Sequence, residues 1–86
     1  MKALDAAEAI AREIGGKVRE DYSGRGMYGK TCLGIVCDDD TECIELAAQY
    51  GFRRAQTDSM GKQMIVYWPH IKADTTMPGD KESDDD

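Results

Sequence analysis

The chain is expected to form an α+β domain in which the order helix–strand–strand occurs twice. Two segments carry apolar residues at helical spacing, and glycine stops each of them, Gly15-Gly16 after the first and Gly51 after the second. A charged strand-like segment, a turn containing Gly-Lys and an apolar strand-like segment follow each one. The halves also resemble each other. Glu8-Ala9-Ile10 aligns with Glu42-Cys43-Ile44, and Val18-Arg19 with Phe52-Arg53, at an offset of 34. Gly29-Lys30 aligns with Gly61-Lys62, Leu33 with Ile65 and Val36 with Trp68, at an offset of 32.

The first helix is expected over 4–14, where Leu4, Ala7, Ala11 and Ile14 share a face with Ile10 at its border. The first strand, 17–22, is rich in charge. A glycine loop covers 23–29. The second strand, 31–37, is the most apolar stretch of the chain. Asp39 with Glu42 three positions later is a helix-start signature, and the aspartates at 38–40 suit the positive end of a helix running to about 50. The third strand is expected at 52–57, a turn at 58–61, and the fourth strand at 63–68, ended by Pro69.

Two hairpins joined by a helix favour a four-stranded antiparallel sheet with both helices on one face. The charged strands suit the edges and the apolar strands the centre, so the predicted strand order is 1-2-4-3. This is a ferredoxin-like sandwich with its connectivity circularly permuted. Two αββ units exchanged across a dimer is the alternative. The expected division is a single αββαββ domain over 1–72 and a flexible acidic tail over 73–86, with disorder from about Thr75.

Eighty-six residues support one small core. No apolar run is long enough to span a membrane. The start of the chain lacks the charged-then-apolar pattern of a secretion signal. Three cysteines, an odd number, fit free thiols in a reducing cytoplasm. Of the net charge of −6, residues 80–86 supply −4 through five acids and one lysine. The acidic excess therefore belongs mostly to the tail, which favours solubility and repels nucleic acid.

Residues 24–31, Gly-Arg-Gly-Met-Tyr-Gly-Lys-Thr, match the phosphate-loop pattern G-x-x-x-x-G-K-[ST]. On that pattern Gly24, Gly26 and Gly29 would cradle phosphate oxygens, Lys30 would contact a phosphate and Thr31 would hold a metal ion. A phosphate loop needs a helix behind it, whose N–H groups and dipole meet the phosphates. Here a strand follows. Asp38 would also lie about 20 Å from Thr31 along an extended segment. A glycine-rich hairpin is the expected structure, with no catalytic residues, no metal and no cofactor. Cys32 and Cys37 are an odd number of positions apart, so on a strand they point to opposite faces. The cysteines are expected to be small buried hydrophobes.

Two binding modes remain. Nucleic-acid domains built on this sandwich use the helix-free sheet face, and Arg25-Gly26-Met27-Tyr28-Gly29 partly follows their strand signature. The strand itself supplies no stacking aromatic. Phosphate contacts on that alternative come from Gly24, Gly26, Gly29, Lys30, Arg19 and Arg54, with Lys17, Arg53 and Lys62 beside the sheet. The other mode is protein binding. Two helices leave one sheet face uncovered, and alternation sends either Met64, Val66 and Trp68 or Ile65 and Tyr67 to it. Apolar area left there suits a partner or a second copy in a homodimer. Tyr22, Arg25, Met27 and Tyr28, with Arg53 and Trp68 behind them, are the expected contacts.

The segment from Asp21 to Ile35, Asp-Tyr-Ser-Gly-Arg-Gly-Met-Tyr-Gly-Lys-Thr-Cys-Leu-Gly-Ile, resembles a motif in small bacteriophage- and prophage-encoded proteins. The resemblance covers about 15 residues and implies a phage-type accessory protein in a bacterial cytoplasm. Such proteins often bind a host machine, as inhibitors of CRISPR effectors and other defence nucleases do. The expectation is a non-enzymatic module that binds a host or phage protein, and the alternative is a small nucleic-acid or nucleotide-phosphate binder.

Overall fold

The computed structural model describes residues 1–24 and 26–77. Arg25 and the acidic segment 78–86, on which two expectations fall, lie outside the described residues. The elements run α1 (Ala3–Ile14), β1 (Lys17–Tyr22), β2 (Cys32–Cys37), α2 (Asp40–Gln49), β3 (Gln56–Met60) and β4 (Gln63–Trp68). The four strands form one antiparallel sheet in the order β1-β2-β4-β3. This is the expected α+β layout. Joining the chain ends and cutting between β1 and β2 gives strand–helix–strand–strand–helix–strand, the ferredoxin-like order.

Helix α1 ends where Gly15 takes φ +73, a left-handed cap that an L side chain resists, and Gly16 N–H closes onto Ala11 O. Its buried face is Ala3, Ala6, Ala7, Ile10 and Ala11. Ile10 sits at the centre of that face, with Leu4 and Ile14 only half-buried at its margins. The expected stripe is rotated because small alanines let the helix lie close to the sheet. Helix α2 begins as expected: Asp39 accepts from the N–H groups of Thr41 (3.0 Å) and Glu42 (3.4 Å).

The main core lies between the helices and the sheet. Leu33, Ile35 and Cys37 of β2 and Val66 and Trp68 of β4 face α1 and α2. Trp68 is fully buried and its ring lies 4.6 Å from that of Phe52. Its indole N–H has no acceptor.

Three expectations need correction. Strand β3 covers 56–60, not 52–57. Phe52 is drawn into the core against Trp68, so Arg53 and Arg54 lie in the connection before β3 and not in the sheet. The hairpin turn is correspondingly tight, with only Gly61 and Lys62 between Met60 and Gln63, and Gly61 at φ +64. The domain also runs beyond residue 72. Leu4 N–H donates to Ala73 O, Ala3 N–H to Thr75 O, and Met77 N–H to Met1 O. Lys2 and Thr76 form a β-bridge, and Met77 is buried in the main core. This segment satisfies N–H groups at the start of α1 that the helix cannot pair itself. Finally, the αββ order repeats but the residue offset does not carry through the strands. Leu33 faces the helices whereas Ile65 faces away, and Val36 and Trp68 are likewise on opposite faces.

Candidate functional site

The helix-free face of the sheet carries its own small core. Cross-strand partners share a face, so Arg19, Gly34 and Tyr67 lie in line, as do Lys17, Val36, Ile65 and Asp58. Alternation along β1 would then turn Tyr22 toward the helices. A bulge prevents this: Arg19 pairs with Gly34 and Tyr22 with Cys32, one residue more on β1 than on β2. The charged residues Glu20 and Asp21 absorb the bulge. Tyr22 is thereby placed on the open face, 4.9 Å from the ring of Tyr67. Its hydroxyl donates to Asp58 Oδ2 across the sheet at 3.1 Å, and Tyr67 donates to Gln56 Oε1 at 3.2 Å. Burial, then the Asp58 carboxylate, pushes the Tyr22 hydroxyl above its ordinary value.

The glycine loop folds back over this face. Gly24 lies on the Tyr67 ring so closely that a Cβ there would sit 2.6 Å from two ring carbons. Met27 is the plug. It is buried with Cys32, Ile65 and Tyr67. Its sulfur accepts Gly24 N–H at 3.0 Å and the Cys32 thiol at 3.9 Å. Met27 N–H donates to Gly24 O and Lys30 N–H to Met27 O, so two turns follow each other through 24–30. Gly26 (φ +78), Tyr28 (φ +51) and Gly29 (φ +88) take the positive angles that these turns demand. Tyr28 is 95% exposed. Beside it lies a depression of about 240 Å³ lined by Gly26, Met27, Tyr28, Lys30 and Pro69.

The expected contact residues divide accordingly. Tyr28 stands out in solvent. Tyr22 is half-buried and engaged with Asp58, so it supports the loop. Met27 faces inward and holds the loop down. Arg53 is exposed in the connection between α2 and β3. Trp68 belongs to the helix-side core and offers nothing to a partner, because β4 sends Ile65 and Tyr67, and not Trp68, to the open face. The expected apolar patch on that face is absent among the described residues, where the exposed large hydrophobics are Met1 and Tyr28. The loop covers the apolar side chains of that face, Ile65 and Tyr67 among them.

The alternative phosphate set does not converge. A strand, not a helix, follows the loop, and Gly24 N–H is taken by the Met27 sulfur. Arg19 is on β1 and Arg54 precedes β3, at opposite edges of the sheet and about 14 Å apart by strand spacing. Lys30, Gly26 and Gly29 remain exposed on the loop. Cys32 and Cys37 face opposite sides of the sheet. All three thiols are buried and pushed up by that burial, Cys43 to about 12, with Cys37 beside it as a further cause.

Sequence reasoning missed Gly34, Asp58, Gln56 and Pro69. Gly34 carried a signal: a glycine inside an apolar strand marks close approach, and a Cβ there would lie 3.0 Å from Ile65 Cδ1 and 3.2 Å from Tyr67 Cβ. Comparison of the chain with protein-family models, with curated proteins and with solved structures finds no match.

Proposed function

We propose that the chain is a non-enzymatic interaction module of the phage-accessory kind. In this reading it engages a host protein through loop 23–31 and thereby inhibits a defence or nucleic-acid-processing assembly. Tyr28 carries the proposal. It is an aromatic residue held almost fully in solvent, at a backbone angle that costs an L residue about 1–2 kcal/mol, by a loop fastened to the sheet on both sides of it. A tyrosine exposed on a backbone that the sheet holds in place suits an interface anchor, because little backbone freedom remains to be lost on binding.

The nucleic-acid alternative finds less support. An RNA-recognition sheet presents its aromatics to bases, whereas Tyr67 is 3% exposed here under Gly24 and Met27. Capture of partners from bacterial lysate, with and without nuclease, tests the proposal. A stoichiometric protein that survives nuclease and is lost with Tyr28→Ala is the expected result. Capture unchanged by Tyr28→Ala would remove the loop from the interface, and partners lost on nuclease treatment would favour nucleic acid.

A further inference from the structure

The fold sorts charge between the two ends of the sheet. The end where β2 begins and β4 finishes also holds the glycine loop. Lys30 precedes β2, Arg53 and Arg54 precede β3, and His70 and Lys72 follow β4, all of them exposed. The carboxylates on the same connections are Asp21 and Asp74, while Lys2 and Asp5 at the start of α1 offset each other. The opposite end carries Asp38, Asp39, Asp40 and Glu42 around the start of α2 and Glu13 in α1, against Arg12, Lys17 and Lys62, so acids outnumber bases there. The side chains of Lys30, Arg53, Arg54 and Lys72 make no hydrogen bond or ion pair among the described residues.

The backbone singles out the same end. Tyr28 and Arg54 are the non-glycine residues at positive φ among the described residues, at +51 and +63. Both are exposed, so neither angle is compensated by burial of the side chain. Strain of this kind persists where the surrounding structure imposes it, and it gathers at binding surfaces. Here it displays an aromatic ring on one connection and a guanidinium on another.

From this distribution we infer that the partner offers a carboxylate-rich protein surface, met by a basic collar of Lys30, Arg53, Arg54 and Lys72 around Tyr28. The inference rests on the loop being the contact surface. A protein fits better than a nucleic-acid strand because single-stranded nucleic acid binds along a series of stacking aromatics, and Tyr22 and Tyr67 are withdrawn under the loop.

The test titrates the full chain with two fluorescent probes, a short poly-L-glutamate peptide and an oligothymidylate, read by anisotropy. Poly-L-glutamate is expected to bind at about 50 mM salt and to be released at about 500 mM. The triple variant Lys30→Glu, Arg53→Glu, Arg54→Glu is expected to bind it at least about tenfold more weakly. Lys62→Glu, at the far end of the sheet, is expected to change little. Circular dichroism establishes that each variant is folded. No binding of poly-L-glutamate, an equal loss with Lys62→Glu, or tighter binding of oligothymidylate would each overturn the collar. Failure of the loop reading shows separately, as lysate capture unaffected by Tyr28→Ala.

Discussion

Replacing Gly24 with alanine would drive a methyl group into the ring of Tyr67. The new carbon would lie 2.6 Å from Cε2 and Cζ and 2.8 Å from the hydroxyl oxygen, where ordinary contact begins at 3.4 Å. The ring has nowhere to go. It is 3% exposed, its hydroxyl is held by Gln56, and the ring of Tyr22 lies 4.9 Å away, tilted by 54°. Gly24 itself has no positive φ, so alanine meets a purely steric obstacle. The loop must therefore lift, which breaks the Gly24 N–H contact to the Met27 sulfur and uncovers Cys32 and Ile65. Overpacking of this kind costs about 1–3 kcal/mol. In a domain this small that lowers Tm by about 5–20 °C. Gly26→Ala and Gly29→Ala meet no atom within 4 Å, and each costs only about 1 kcal/mol through its positive φ. Thermal and urea unfolding, followed by circular dichroism with the tyrosine signal in the near ultraviolet, compares the three. A Gly24→Ala protein as stable as the parent, or one less perturbed than Gly26→Ala, would refute the packing of the loop on the sheet.

Met77→Ala should destabilise the protein by about 2–3 kcal/mol in urea unfolding, because the side chain is buried in the main core, and an unchanged midpoint would return 73–77 to the tail. Asp39→Ala should cost about 1 kcal/mol by removing the cap of α2, and Asp39→Asn should restore most of it. Stability should decline on the alkaline side. The folded state raises Tyr22 above 10.0 and the three thiols above 9.0, Cys43 to about 12, so it binds these protons more tightly than the unfolded chain. Their contribution is full below about pH 9 and is lost as pH rises through the folded values, which denaturant midpoints from neutral to alkaline pH will register. Thiol labelling should proceed only as fast as the chain opens, since all three sulfurs are buried.

The architecture was legible because its signals are local and redundant. Gly15, Asp39, Gly51 and Pro69 punctuate the chain, and the contrast between a charged β1 and an apolar β2 separated edge from centre. The start of β3 was misplaced because Phe52 and the arginines after it look like a strand, and only the ring of Trp68 decides that Phe52 turns inward. The C-terminal segment was misread because Thr75 and Thr76 have polar side chains, and their backbone partners lie more than seventy residues away. The candidate site was half legible. Loop composition singled out Tyr28, but the roles of Tyr22 and Met27 depend on one bulge residue, which reverses the face of everything after it. No one-dimensional pattern reports that reversal.

Trp68 turns the fold into its own instrument. It is the single tryptophan, fully buried against Phe52 with no acceptor for its indole N–H. Its emission should therefore be blue-shifted and should report the helix-side core alone. A ligand that settles on the glycine loop touches the other side of the sheet and should leave that emission unchanged. A spectral shift on adding a partner would mean that the sheet had transmitted the contact through β4, from Tyr67 to its neighbour in sequence. Constant emission would mean that the protein recognises its target as a rigid surface.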